Sequence, residues 1–180
     1  MENKIIKGYK AFNYNMTNRI GLTFKEGKIY RVVGKLKFGN DGNGYHFCKN
    51  LEDTLRYFPA RDQEIKLCCV TSYEDVVEYY DDYYGYYNMY AARCISIDKI
   101  LSREEIINKM LRENSFSVQR FCSLFKLTNE EMENFKKHFD SDIAVLRCIQ
   151  YYQENDLDVY TIRKEEKVKT KSLKSINYYN

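Results

Sequence analysis

The sequence predicts an α+β fold: a small mixed or antiparallel sheet with helices, followed by a helical C-terminal appendage. Three observations carry this expectation. Short runs rich in β-branched and aromatic residues, bounded by glycine, asparagine or proline, recur between Ile5 and Ile97. Two capping boxes, Ser102-Arg103-Glu104-Glu105 and Thr128-Asn129-Glu130-Glu131, mark helix starts. From Ser115 onward the strand-like runs give way to apolar residues at helical spacing. The expected organisation is an α+β domain over residues 1–114, a three-helix appendage over 115–160 and a basic tail over 161–180.

Ile5 to Phe12 reads as the first strand, and Asn13 to Asn18 as a turn-rich segment. Ile29 to Val33, bounded by Gly27 and Gly34, is β-branched and forms the second. Gly39-Asn40-Asp41-Gly42-Asn43-Gly44 is a turn, because glycine tolerates positive φ. Tyr45 to Cys48 is a short strand. Asn50 then has the character of an N-cap, with Glu52 and Asp53 in the first turn of a helix that Pro59 stops. Ile65 to Val70 and Ala91 to Ile97 are further strands, and Ser102 opens a helix through Asn114. In the appendage, Ser117, Thr128 and Asp140 or Ser141 start three helices, and Leu157 to Ile162 could add a strand.

Composition bounds the function. A chain of 180 residues buries a core without covalent staples. No stretch reaches the roughly 18 uninterrupted apolar residues of a membrane span. Met1 to Gly8 has no apolar core behind its charges, so a cytoplasmic protein with no membrane partner is expected. The cysteines Cys48, Cys68, Cys69, Cys94, Cys122 and Cys148 are scattered and expected as thiols acting as small apolar side chains. With only His46 and His138 to supply imidazole and no C-x-x-C pair, no metal site is expected. Cys48 follows His46 by two residues, so the two would share a strand face, but their apolar flanks argue against a reactive pair. No catalytic set can be assembled from the residues. The net charge of +3 does not describe a polycation that coats nucleic acid.

Three blocks carry a family resemblance: Gly8-Tyr9-Lys10-Ala11-Phe12-Asn13, Phe24-Lys25-Glu26-Gly27-Lys28-Ile29-Tyr30 and Gly44-Tyr45-His46-Phe47-Cys48-Lys49-Asn50. In this order they resemble an uncharacterised domain of phage, prophage and bacterial proteins that often precedes pentapeptide repeats. Its pattern is Gly-Tyr-Lys-x-Phe-Asn, a Gly-Lys-x-Tyr strand, then Gly-Phe/Tyr-His-Phe-Cys-x-Asn and a helix. The stretch from Ala92 to Glu105 resembles that family's closing strand and helix, so the likeness covers roughly the first 110 residues. It implies a phage or mobile-element setting and no established activity. A more distant resemblance is to ADP-ribosyltransferase-like folds. It would imply an NAD cleft lined by Lys10, Tyr45, His46 and Asn50, although the strand from Ala91 lacks the Glu such enzymes use.

The segment Tyr73 to Tyr90 carries Glu74, Asp75, Glu78, Asp81 and Asp82 without a single Lys or Arg. Tyrosine offers large amphipathic area at low entropic cost and recurs in binding hot spots. The leading expectation is therefore an intracellular interaction protein of phage or mobile-element type. It would bind a host protein or protein complex, as an inhibitor of a defence or nucleic-acid-handling assembly, without a cofactor. Its contact residues would be Glu78, Tyr79, Tyr80, Asp81, Asp82, Tyr83, Tyr84, Tyr86 and Tyr87. The alternative is an ADP-ribosyltransferase-like enzyme or a degenerate nucleotide-binding domain, with NAD as ligand in that case only. Direct nucleic-acid binding by the protein is not expected, and for the acidic segment it is disfavoured by sign. A helix-turn-helix reading of the appendage would give its last helix only Arg147 as a base.

Overall fold

The structure is a computed structural model, and the residues it describes are 5–18, 21–37, 42–57, 64–79 and 89–155. The chain divides into two compact units, Met1–Asn108 and Lys109–Asn180.

The first unit holds strands β1 (Ile6–Asn13), β2 (Ile29–Arg31), β3 (Tyr45–Cys48), β4 (Ile65–Tyr79) and β5 (Met89–Ile100), with a short helix α1 (Leu51–Thr54) after β3. Every pairing is antiparallel. The strand order is β2-β5-β3-β1-β4, and β4 returns to pair with β5, so the sheet closes into a small barrel. Alternation along the strands supplies two faces. Phe12, Phe47, Cys68, Val70, Tyr90, Ala92, Ile95 and Ile97 form the interior with Phe24 and Met16. Ala11 pairs with Leu67 on the opposite face, and both are buried, as are Cys48 and all of α1.

Two strands run further than the sequence suggests. β4 continues past Val70 to Tyr79 and β5 begins at Met89 and reaches Ile100. The physical reason lies in cross-strand partners. The carboxylates of Asp75 and Glu78 are matched by Arg93 and Tyr90 on β5, and Glu74 reaches Arg31 on β2, the strand on the other side of β5. β4 serves two neighbours by bending: its register with β5 shifts at Cys69/Val70 and at Tyr73/Val76, and Glu74 takes φ +66° at the second irregularity. Such bulges tighten twist and let a few strands close a barrel.

α1 is shorter than expected, giving way to turns through Tyr57. Asn50 occupies the N-cap position, but its side chain donates to Asp53 Oδ2 (3.1 Å) instead of accepting a backbone N–H. The expected Phe58–Pro59 stop lies outside the described residues, as do Gly39 to Asp41. Helix α2 (Arg103–Met110) opens at the expected capping box: Ser102 Oγ accepts from Glu105 N (3.2 Å) and Glu105 Oε2 from Ser102 N (3.0 Å).

The second unit contains α3 (Ser115–Leu124), α4 (Asn129–His138) and α5 (Ile143–Ile149), the last continuing as a π-helical turn, Gln150–Glu154. Asn114, not Ser117, caps α3, accepting from Ser117 N (3.1 Å); Ser117 is buried in the first turn. Thr128 and Glu131 form the expected capping box of α4. Asp142, one residue beyond the expected cap, accepts from Ala144 N and Val145 N at the start of α5. Phe121 anchors the core, stacked on Phe125 (4.6 Å) and Phe135 (6.2 Å), with Val118, Val145 and Ile149 buried around it. Gln153, also buried, donates to the carbonyls of Cys122 and Phe125 (2.8 Å to the latter) and accepts from Leu127 N (3.0 Å). It closes the C-terminus of α3, whose last carbonyls have no partner within the helix. The expected strand at Leu157 and the basic tail lie outside the described residues.

Candidate functional site

The β4–β5 ribbon is the framework of the segment expected to meet a partner. Its ladder runs to Glu78 opposite Tyr90 and Tyr79 opposite Met89. Glu78 Oε1 accepts from the Tyr90 hydroxyl (2.9 Å), and the Tyr90 ring stacks on Phe47 at 5.3 Å. The far end of the ribbon is thus tied to the barrel interior. Beyond Ser72, where β1 ends its pairing with β4, no strand among the described residues covers the other edge of β4. Exposed Val77 lies on this stretch. Of the nearby acids, Glu74 is paired with Arg31. Asp75 accepts from Arg93 Nε (3.0 Å) and Nη2 (2.8 Å), while Arg93 also donates to the Gly34 carbonyl. These exposed pairs spend part of the acidic character within the barrel itself. Tyr80, Asp81, Asp82, Tyr83, Tyr84, Tyr86 and Tyr87 lie outside the described residues.

The four residues of the alternative nucleotide cleft are not gathered on one wall. Lys10 faces the interior with Phe12 and opposite Cys68. Its ammonium donates to the His46 backbone carbonyl and lies 5.3 Å from the Phe12 ring centroid. Burial pulls its pKa down to about 8, against an opposing pull from the Cys48 and Cys68 sulfurs, and burial likewise pushes the Cys68 thiol up to about 12. Tyr45 packs edge-on to Phe24 (5.9 Å) and Tyr30 (6.5 Å), and burial raises its phenol pKa. His46, next along the same strand, projects to the opposite face. Asn50 is exposed and bonded to Asp53. Cys48, on the His46 side, is buried.

The motif blocks are spent on architecture. A Cβ on Gly8 would stand 2.3 Å from the Cys48 carbonyl oxygen, so the glycine permits the close approach of β1 and β3. Asn13 folds the following turn, Oδ1 accepting from Thr17 N (2.9 Å) and Nδ2 donating to Thr17 Oγ1 (2.8 Å). Gly27, at φ +73°, donates its N–H to the Ile97 carbonyl (2.7 Å). The Tyr30 hydroxyl accepts from Lys25 N (2.7 Å).

The second unit has a feature that sequence reasoning missed. An open groove of about 830 Å³ runs between α3 and α5 with its π turn. Phe116 and Tyr151 stand exposed along it, and Arg120 lies 5.4 Å from the Phe116 ring centroid. The four-residue spacings Phe116/Arg120 and Arg147/Tyr151, each one helical turn, were the available signal. Weighing Arg147 on its own helix hid Arg120 on the neighbouring one.

No disulfide joins the six cysteines. Among the described residues no group of three His, Cys, Asp or Glu side chains could hold a metal ion, and no helix is long and apolar enough to cross a membrane.

A family model for a domain of unknown function, DUF7666, matches residues 6–108. No curated protein and no solved structure matches the chain.

Proposed function

We propose, on the premise that the chain belongs to the DUF7666 family, that its barrel is a binding module and not an enzyme. The contact surface would be the β4–β5 ribbon with the tyrosine-rich segment it carries. The observation that supports this most is the edge of β4: beyond Ser72 it is paired on one side only among the described residues, and it leads into Glu78, Tyr79 and the residues that follow. A one-sided strand can accept an extended partner segment by main-chain hydrogen bonding. The use of Gly8, Lys10, Asn13, Tyr30 and Phe47 in the fold itself also favours a scaffold over a reaction centre.

The partner in this reading is a host protein or protein complex met inside the cell by a phage or mobile-element product, which acts as an inhibitor. Asp81 and Asp82 between tyrosines suit a basic surface. The test is affinity capture from host-type lysate by the full chain against the joint alanine variant of Asp81, Asp82, Tyr83 and Tyr84, both with the same melting temperature. A captured protein missing from the variant lane supports the reading; identical lanes refute it.

A further inference from the structure

The groove between α3 and α5 has a lining of unusual chemistry. Phe116 is 67% exposed, with the Arg120 guanidinium over its ring, and Tyr151 is 46% exposed, packed edge-on to Tyr152. Among the described residues its charged side chains are Arg120 and Arg147, and no carboxylate lines it. The carboxamides of Gln119, Gln150 and Asn155 line it with Ser123, Cys148 and Tyr152, and among the described residues Ala144 is its one aliphatic side chain. A groove for an amphipathic helix would be walled by Leu, Ile, Val or Met. This one is walled by planar groups and hydrogen-bonding amides around two guanidinium ions. Such a set matches a ligand of stacked flat rings on an anionic backbone.

We propose that this groove binds single-stranded nucleic acid, with bases stacking on Phe116 and Tyr151 and phosphates meeting Arg120 and Arg147. Charge and size agree. The unit as a whole mixes both signs, but the groove lining is cationic, and about 830 Å³ exceeds what one stacked base requires. The site is distinct from the β4–β5 ribbon, and each can fail without the other.

The test is fluorescence anisotropy of a labelled oligothymidylate dodecamer with the full chain, at about 50 mM and about 200 mM salt. Phe116→Ala and Tyr151→Ala, both at exposed positions, should each weaken binding roughly 5-fold to 150-fold. Arg147→Ala should weaken it and flatten the logarithmic salt slope by about 0.7, the share of one phosphate contact on a single strand. Unchanged melting temperatures separate these effects from misfolding. Three results would overturn the proposal: no binding by the wild type at the lower salt, groove variants that bind as the wild type does, or tighter binding of an acidic Glu/Tyr peptide than of the oligonucleotide. The last would assign the groove to an acidic protein segment.

Discussion

Lys10 brings a positive charge to the inside of the barrel, so stability should climb as alkali removes that charge. Its pKa falls from the ordinary 10.5 to about 8. Between those values the unfolded chain holds the proton and the folded one has released it, and stability therefore rises with pH across the interval. At about 1.4 kcal/mol per pH unit the interval corresponds to about 3 kcal/mol. Partial exposure of the residue lowers the expected step to about 2 kcal/mol. Cys68 acts in the opposite direction. Its thiol, raised from 9.0 to about 12, keeps its proton in the fold while the unfolded chain gives it up, so that contribution is lost as pH rises above 9. The wild-type profile should rise between pH 8 and 9 and then flatten. Lys10→Met isolates the lysine. The variant should be more stable relative to wild type at pH 7 than at pH 10, by about 2 kcal/mol, because the Cys68 contribution is common to both. Calorimetry from pH 7 to 10 is the assay, and it can resolve two units that melt separately. Parallel profiles for the two proteins would refute the reasoning and show that the ammonium keeps its water.

Gln153→Leu removes three buried hydrogen bonds at once and should cost about 2–4 kcal/mol in urea unfolding of the helical unit; a cost below 0.5 kcal/mol, the low end for one such bond, would mean that water takes over its role. Gly8→Ala forces a methyl group onto the Cys48 carbonyl and should destabilise the barrel by at least about 1–3 kcal/mol, read as a drop in melting temperature; an unchanged melting temperature would show that β1 and β3 can part there without cost. Asp142 is held below its usual carboxylate range first by Ser115 and then by the N–H groups it caps. Its contribution should be present above pH 4 and fade as pH falls through its lowered pKa. Asp142→Asn should flatten the acid limb of the melting curve, and an unchanged limb would remove Asp142 from that account.

Short-range signals were the legible part of this chain. Ser102/Glu105 and Thr128/Glu131 marked their helices because both halves of a capping box sit within four residues of each other. Tyr45 to Cys48 announced β3 with the correct ends. What stayed hidden depended on residues far apart in the chain. Asp75 and Glu78 find Arg93 and Tyr90 on β5, and Glu74 finds Arg31 on β2, pairings between distant residues that nothing local reports. Barrel closure likewise depends on one strand, β4, pairing on both sides. In the candidate sites, Lys10 was named through a motif resemblance, but its partner, a main-chain carbonyl on β3, has no side-chain signature. The groove required α3 and α5 to be placed side by side, which no single-helix pattern reports.

The pairing of β5 with β2, β3 and β4 has a consequence for synthesis. As the chain leaves the ribosome, β1 and β4 can zip together once Ser72 is out, yet the ring stays open until Ile100 has followed. Through that interval Phe12, Phe47 and Val70 lack the lid of Ile95 and Ile97, and the nascent domain offers chaperones and proteases an apolar trough. A ribosome stalled before Met89 would display that trough indefinitely, while one stalled well beyond Ile100 would carry a finished barrel.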